Sequence, residues 1–444
     1  MATPTDSRAN NATVADLVYR KVTKRLMPML VLCYLAAFVD RSNVGFAKLQ
    51  FMTDLGFTEA VYGFGAGLFY AGYMLFEIPS NLYLAKVGLR KTLLRIMALW
   101  GLASASMALM HTANQFYLLR ALLGAAEAGF FPGVLLYLTY WVPNHRRARI
   151  ISLFMISMAV SGIVGGPISG AVMSSLDGWH GLRGWQWLFI VEGLPSCGLA
   201  VIAYYYFSDG PAQARWLTDS EKRLSADDLA RDKTVGKRSH ATAWLALFDR
   251  RFLLLTVMAF ALFTGTSGVF LWLPTIIKGA GIQGYWNIGL LSAVPFSAAA
   301  LAQFLIGRSS DRTLERRWHA VLPALCGALG WLLMPMVGGR PMLSLAVLTL
   351  ATAGTLGSMP PFWTMPSTLL SGTAAAAGIA LVSTIGSLGS FVSPMVIGNL
   401  ATWTGSLAAG QYYLACVLAM GAVAILAIGS PRPAPVPSAT TGAS

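Results

Sequence analysis

The longest polar stretch of the 444-residue chain, residues 208–251, reads SDGPAQARWLTDSEKRLSADDLARDKTVGKRSHATAWLALFDRR. It carries nine Lys and Arg residues, and six long apolar segments lie on each side of it. A helix needs about 20 mostly apolar residues to cross a bilayer, and in lipid it satisfies its own backbone hydrogen bonds. The sequence therefore predicts an all-α integral membrane protein with twelve transmembrane helices in two pseudo-symmetric six-helix halves.

The apolar segments set the predicted organisation of the chain. They cover residues 27–47, 60–84, 93–110, 115–140, 150–173, 186–207, 252–277, 285–307, 319–338, 342–364, 374–398 and 408–429. The predicted regions are a cytoplasmic tail over 1–26, a first half over 27–207, a cytoplasmic linker over 208–251, a second half over 252–429 and a disordered tail over 430–444.

The amino-acid composition excludes the soluble classes of protein. Hydrophobic residues make up 56% of the chain and charged residues only 11%, against about 25% charged residues in an average soluble protein. So few charges cannot cover so much apolar surface in water, and the same figures exclude disorder, a coiled coil and a small disulfide scaffold. The four cysteines lie in apolar stretches without a CxxC pair, so neither a disulfide framework nor a zinc site is expected.

The distribution of basic residues predicts the orientation of the chain in the membrane. The net charge is +14, and most Lys and Arg residues lie between the predicted spans on one side. Only Lys48, Arg183, Lys278 and Arg340 lie on the other side. This is the positive-inside pattern, so the basicity reflects topology and not nucleic-acid binding, and both termini are expected in the cytoplasm.

Two acids and two arginines fall within the first and fourth predicted spans. Asp40 and Arg41 are neighbours, so they point about 100° apart around a helix. Arg120 and Glu127 share one helix face but are about 10 Å apart along the axis, too far for an easy direct pair. A charge at the bilayer centre costs about 2.5–3.5 kcal/mol, so we expect the four side chains to meet across helices. The alternative is that they only hold the helices together.

The chemistry of this set suggests proton and anion binding. A carboxyl group takes a proton more readily when its positive neighbour is occupied by a substrate carboxylate. Asp40 and Glu127 are therefore the predicted proton-coupling residues, and Arg41 and Arg120 are the predicted substrate-binding residues.

Other residues of the spans are weaker candidates. Glu77 lies near a predicted cytoplasmic helix end and Glu192 lies beside Gly193, so both are expected to make helix-end or loop contacts outside the site. Tyr73 is the aromatic residue most suited to line a central cavity, because it can also form hydrogen bonds. The other aromatic candidates are Tyr34, Phe38, Tyr70, Phe130, Phe131, Trp272, Phe362 and Trp363.

Motifs of enzymes and ATP-driven pumps are missing from the sequence. It has no G-x-x-x-x-G-K-[ST] loop and no G-x-S-x-G elbow. The five histidines lie in or beside loops without the spacing of metal ligands. No enzymatic activity and no cofactor is therefore expected, and energy must come from an ion gradient unless transport is passive.

Several motifs resemble a known family of transporters. The loop after the eighth span, Gly307-Arg-Ser-Ser-Asp311-Arg312-Thr-Leu-Glu-Arg316-Arg317, matches the motif G-x-x-x-D-R-x-x-x-R-R of the major facilitator superfamily. The loop after the second span is a degenerate copy. The stretches that start at Asp40 and at Arg120 resemble the anion:cation symporter family over about residues 20–430. Within that family, residues 175–178 (SLDG) and 184–189 (GWQWLF) are most similar to bacterial 4-hydroxyphenylacetate permeases, and tartrate-type and phthalate-type members are close behind.

The resemblance implies a function and a location. Such a protein imports a small organic anion together with protons, by alternating access across the bacterial inner membrane. Its expected partners are the anion, protons and the lipid bilayer, with no nucleic acid, and the expected oligomeric state is a monomer. The proton gradient takes the place of a cofactor.

The resemblance also assigns roles to residues of the second half. Ser383 and Ser387 stand where many members carry asparagines in the eleventh span, and this departure bears on the choice of substrate. Asp311, Arg312 and Arg316 are expected to form a cytoplasmic gate.

Two rival functions remain open. Glycines 162, 165, 166 and 170 of the fifth span are expected to let helices pack closely, but this stretch also approaches a glycine-proline motif of antiporters. An anion exchanger or efflux antiporter is therefore the first alternative. A membrane sensor or enzyme is the second, although catalytic motifs and a large cytoplasmic domain are lacking.

Overall fold

The computed structural model describes residues 4–235, 249–366 and 373–428, and all regular structure within these ranges is helical. The first half contains α1 (Pro4–Leu55), α2 (Glu59–Val87), α3 (Leu89–Ser106), α4 (Ala113–Glu127), α5 (Phe130–Trp141), α6 (Asn144–Ser175) and α7 (Gly184–Tyr206). The linker contains α8 (Asp219–Val235). The second half contains α9 (Arg250–Gly279), α10 (Tyr285–Thr313), α11 (Arg317–Leu333), α12 (Pro341–Gly357), α13 (Met359–Thr364), α14 (Thr373–Thr404) and α15 (Ala408–Ala427).

The helices confirm the predicted all-α membrane architecture. Ten helical segments in the described ranges are long and apolar enough to cross a membrane, with α4–α5 and α12–α13 each forming one segment. α2 and α6, with 29 and 32 residues, are also long enough to span and complete the twelve. α1 begins at Pro4, so the described part of the predicted tail over 1–26 is helical.

The fourth predicted span, 115–140, is divided into two helices. α4 ends at Glu127 because Gly129 adopts a φ of 85°, a left-handed conformation that glycine tolerates and that no α-helix continues through. The tenth predicted span, 342–364, is likewise divided between α12 and α13. There Pro360 and Pro361 lack the backbone N–H groups that would continue α12.

The two halves meet along three pairs of helices: α6 with α10, α2 with α14, and α1 with α9. Glycines permit this close packing. A Cβ added at Gly166 would lie 2.7 Å from the carbonyl oxygen of Gly289, and one at Gly170 would lie 2.5 Å from that of Tyr285. The predicted role in close helix packing is therefore confirmed for Gly166 and Gly170, whereas a Cβ at Gly165 would make only ordinary contacts.

Several polar contacts lie at the end of the bundle opposite the linker, called here the far end. The Tyr62 hydroxyl donates to the Leu271 carbonyl at 3.1 Å, and Lys278 Nζ donates to the Leu49 carbonyl at 3.0 Å. Lys48 is buried there, where it pairs with Glu59 of its own half at 2.5 Å and lies 4.9 Å from the centroid of the Trp272 ring of the other half. These contacts hold the halves together at the far end.

Candidate functional site

Arg41 and Glu127 form an ion pair between α1 and α4. Arg41 Nη2 donates a hydrogen bond to Glu127 Oε1. Glu127 is the last residue of α4, so the helix break at Gly129 leaves its side chain at the end of a rigid element. The Arg41 side chain is 24% exposed and that of Glu127 only 4%, so the pair is accessible from the arginine side.

Aromatic rings surround the guanidinium group of Arg41. The Arg41 Cζ atom lies 5.0 Å from the ring centroid of Phe38, 5.2 Å from that of Phe69 and 5.4 Å from that of Tyr73. Such rings stabilise a cation through their negative faces while leaving its N–H groups free to bind an anion. Tyr73, which the sequence favours as a lining residue, therefore lies beside the predicted substrate-binding arginine.

Asp40 lies in a separate, fully buried network. Its Oδ1 atom accepts hydrogen bonds from Asn43 Nδ2 at 3.0 Å and from the Ser104 hydroxyl of α3. Asp40 and Arg41 thus point to different helices, as their 100° separation predicts. The predicted four-residue set is present only in part, because Asp40 is held by neutral donors and Glu127 by Arg41.

Arg120 is buried between α4 and α2 with part of its hydrogen-bonding capacity unused. Its Cζ atom lies 4.9 Å from the centroid of the Phe69 ring, and Asp40 and Glu127 are among its electrostatic neighbours. Its Nε and Nη1 atoms have no hydrogen-bond partner among the described residues. Only 1% of Arg120 is exposed, so its unused donors are closed to solvent in this conformation.

The expectation for Glu192 is wrong. It lies in the middle of α7 and is buried, with Oε1 accepting a hydrogen bond from the Ser169 hydroxyl at 2.8 Å. The Asn43 side chain, which also binds Asp40, is a further neighbour of this carboxyl group. Close packing of Gly193 against α3 draws this face of α7 into the interior.

Glu77 also differs from expectation. α2 continues for ten more residues to Val87, so Glu77 lies within the helix and not at its end. Glu77 is half-buried, and Arg41 is its electrostatic neighbour. Glu77 is therefore a second carboxyl group within the electrostatic reach of Arg41.

The predicted gate residues make contacts within their own loop. Arg316 Nη1 binds Asp311 Oδ1 at 2.6 Å and the Ser310 hydroxyl at 2.9 Å, whereas Arg312 is exposed. The gate itself therefore stays a prediction.

The predicted serines of the eleventh span also stay unassigned. Ser383 and Ser387 are half-buried one turn apart on α14. No hydrogen bond joins them to Arg41 in the part of the chain that the structure describes. Within that part, no three His, Cys, Asp or Glu side chains come together as metal ligands would.

Clefts between the halves contain two residues that the sequence did not single out. Phe270 of α9 and Phe296 of α10 line both clefts, and their ring centroids are 5.0 Å apart. Each lies in a long apolar run, where a phenylalanine that faces a cleft has the same sequence signature as one that faces lipid.

This arrangement of twelve spans in the described ranges, with a charged pair between α1 and α4, can be compared with known proteins. Residues 30–394 match the model of the Major Facilitator Superfamily. The chain belongs to this superfamily. It is therefore a multi-pass membrane transporter and not an enzyme.

Several superfamily members resemble the chain over almost its full length. A Pseudomonas putida protein named as a metabolite transport protein, NicT, is 42% identical over 427 residues, covering 96% of this chain and 97% of the relative. An Agrobacterium vitis protein named as a tartrate transporter is 42% identical over 425 residues, covering 95% and 97%. A quinolone resistance transporter of Acinetobacter baumannii is 41% identical over 412 residues, covering 91% and 93%.

The fold also matches a solved structure of the superfamily. The inward-facing, unoccupied structure of a bacterial homologue of the human lysosomal transporter Spinster aligns with a TM-score of 0.71. The alignment covers 91% of this chain and 95% of the other at 16% sequence identity. This similarity supports the shared fold.

Proposed function

We propose that the protein imports a small organic carboxylate together with protons, by alternating access across the bacterial inner membrane. 4-Hydroxyphenylacetate is the favoured substrate, and the linker and both termini lie in the cytoplasm. The observation that carries the proposal is the Arg41–Glu127 ion pair. A carboxylate that binds the partly exposed arginine competes directly with the carboxyl group to which that arginine is already bound.

This competition couples the substrate to a proton. Arginine binds carboxylates through two parallel N–H donors, so a substrate carboxylate can replace Glu127 as the partner of Arg41. Glu127 is then a buried carboxylate without a cation, which is costly, and it takes up a proton. When the substrate leaves, Arg41 binds Glu127 again and the proton is released on the same side.

Asp40 is proposed as the second proton-coupling residue. Neutral donors hold its carboxyl group, which is compatible with either protonation state, and Arg120 lies among its electrostatic neighbours. Arg120 is proposed to bind the substrate carboxylate after the helices rearrange, and Tyr73 lines the site beside Arg41. Ser383 and Ser387 of α14 are also proposed to bind the substrate.

Alternating access is proposed to be a rocking of the two halves around this site. The far-end contacts of Lys48, Tyr62 and Lys278 support a conformation that is closed on the outside. In the opposite conformation, Asp311, Arg312 and Arg316 would latch the cytoplasmic side.

Two alternatives draw support from the relatives. The tartrate-named protein of Agrobacterium vitis supports a tartrate- or phthalate-type dicarboxylate symporter. The quinolone resistance transporter, together with the glycine-rich stretch of α6, supports an exchanger or efflux antiporter on the same fold.

Uptake of labelled 4-hydroxyphenylacetate into liposomes tests the proposal. The purified protein is expected to accumulate the label only when the proton gradient points inward. Accumulation that ignores the gradient and requires an internal counter-substrate would establish exchange instead. Accumulation of tartrate but not of 4-hydroxyphenylacetate would establish the dicarboxylate alternative.

A further inference from the structure

A row of aromatic rings leads from Arg41 into the second half of the molecule. Arg41 lies over the ring of Phe38, whose centroid is 6.0 Å from that of Phe270. Phe270 in turn contacts Phe296. One of the two clefts that these phenylalanines line also reaches Ser42, the residue after Arg41. The charged group and the apolar clefts therefore adjoin.

One face of α10 forms the wall of the second cleft. Phe296, Ala299, Ala300 and Gln303 all line this cleft, and their i, i+3, i+4 and i+7 spacing places them on one side of the helix. The small side chains of the two alanines leave a flat surface between the Phe296 ring and the Gln303 amide. Gln303 Nε2 donates to the Leu356 carbonyl at 3.1 Å, which leaves its own carbonyl oxygen available as an acceptor.

The cleft wall of the second half carries no charge. Every buried charged side chain that the structure describes belongs to the first half, namely Asp40, Lys48, Arg120, Glu127 and Glu192. The buried polar side chains described in the second half are serines, threonines and Gln411. A carboxylate placed against this wall would have no cation to pair with there, and an unpaired buried carboxylate is costly.

We propose that this wall binds the uncharged, flat body of the substrate while Arg41 holds its carboxylate. Each cleft encloses only about 10 Å³ in this conformation, so the ring enters after the two halves rock apart. The inference rests on the proposed function and narrows it to carboxylates whose body is uncharged and aromatic. Phe270 and Phe296 contact the ring, and the Gln303 carbonyl oxygen accepts a hydrogen bond from a hydroxyl group at the opposite end of the molecule. Tartrate, with two carboxylates and no ring, fits this wall poorly.

Ligand binding to the purified full-length protein tests the inference. Titration calorimetry in detergent would compare 4-hydroxyphenylacetate, phenylacetate and tartrate. Phe296→Ala is expected to weaken both aromatic ligands by about tenfold, because it removes a buried ring contact. Gln303→Leu is expected to remove the advantage of 4-hydroxyphenylacetate over phenylacetate, about two- to tenfold for one hydrogen bond, while phenylacetate binding stays unchanged.

Phe304→Ala is the matched control, because Phe304 lies on the same helix but is 61% exposed. It is expected to leave all three affinities unchanged. Tartrate binding as tight as that of 4-hydroxyphenylacetate, and equally tight in Phe296→Ala, would overturn the aromatic wall and leave carboxylate transport standing. Binding of none of the three ligands by correctly folded protein would overturn the proposed function itself, and this inference with it.

Discussion

The two halves of the molecule have related helix arrangements but bury different chemistry. The first half buries three acids, one arginine and one lysine, and holds these acids with neutral donors or with the partly exposed Arg41. The second half, where the structure describes it, buries hydroxyl groups and one amide but no charge. In a site between two such halves, the first half can bind protons and charged groups while the second recognises the shape of the substrate.

The loops at the linker end show the same divergence. In the second half, Arg316 pairs with Asp311 inside the loop at 2.6 Å. In the first half, Ala85 stands at the position of that aspartate. There the backbone N–H of Arg90 binds Asp209 at 3.1 Å instead, so the start of the linker supplies the acid. An equivalent loop is thus held by a residue that is not equivalent in sequence.

Neutralising Asp40 should produce the largest change in transport. In liposomes, Asp40→Asn is expected to lose proton-driven accumulation completely while retaining exchange of internal for external substrate. The amide keeps a hydrogen-bond acceptor for Ser104 but cannot carry a proton. Uphill uptake at the wild-type level in Asp40→Asn would contradict the assignment of proton coupling to the first half.

A charge buried in the second half should lower the free energy of unfolding. Thr352 is buried in α12, with its hydroxyl donating to the Leu348 carbonyl at 2.8 Å. Thr352→Asp is expected to lower the free energy of unfolding by about 2.5–3.5 kcal/mol more than Thr352→Asn, because no cation is available there. Denaturant unfolding in detergent measures the difference. Equal stability of the two variants would show that this half can also accommodate charge.

Removing one partner of the Arg41–Glu127 ion pair should destabilise the protein more than removing both partners. Arg41→Gln leaves the Glu127 carboxylate buried without a cation and is expected to destabilise the protein by about 1–3 kcal/mol, less than for a fully enclosed pair. The double variant Arg41→Gln with Glu127→Gln should recover most of this loss. A double-mutant cycle of melting temperatures tests the coupling, and strictly additive changes would mean that the pair contributes nothing.

Glu192→Gln should have the smallest effect. Glu192 has no cation among its described contacts, so we expect it to remain protonated throughout the cycle. Glutamine reproduces the shape of the neutral acid, and proton-driven uptake should stay within about twofold of wild type. Loss of accumulation as complete as in Asp40→Asn would instead make Glu192 a third proton carrier.

Much of the fold could be predicted because hydropathy and charge are properties of segments. The twelve spans follow from long apolar runs, and the divergence of Asp40 and Arg41 follows from helix geometry alone. The break at Gly129 could not be predicted in this way, since a two-residue interruption leaves the hydropathy of 115–140 unchanged. It nevertheless determines where Glu127 sits.

The site could be predicted only in part because its contacts are tertiary. Glu192 depends on Ser169 and Asn43, which lie on other helices, and nothing near it in sequence indicates burial. Phe270 and Phe296 were missed because a single aromatic residue in an apolar run does not reveal which side of the helix faces a cleft.

The two stretches that resemble 4-hydroxyphenylacetate permeases, residues 175–178 and 184–189, make contacts that stabilise the fold at the far end. Asp177, from the stretch that resembles 4-hydroxyphenylacetate permeases, accepts hydrogen bonds from Gln50 at 3.0 Å and from the Gly184 N–H at 2.9 Å. The Trp185 indole donates to Asp54 at 3.0 Å. These residues tie the ends of α1, α6 and α7 together, so their similarity bears on far-end closure more than on the substrate.

The most direct test of the account is a measurement of proton movement when substrate is added. Protein-containing liposomes loaded with a pH-sensitive dye would receive 4-hydroxyphenylacetate without an imposed gradient. We expect internal acidification with the wild-type protein and none with Glu127→Gln, while Glu127→Gln still exchanges labelled for unlabelled substrate. Acidification by Glu127→Gln at the wild-type rate would contradict the coupling of protons to substrate through the Arg41–Glu127 pair.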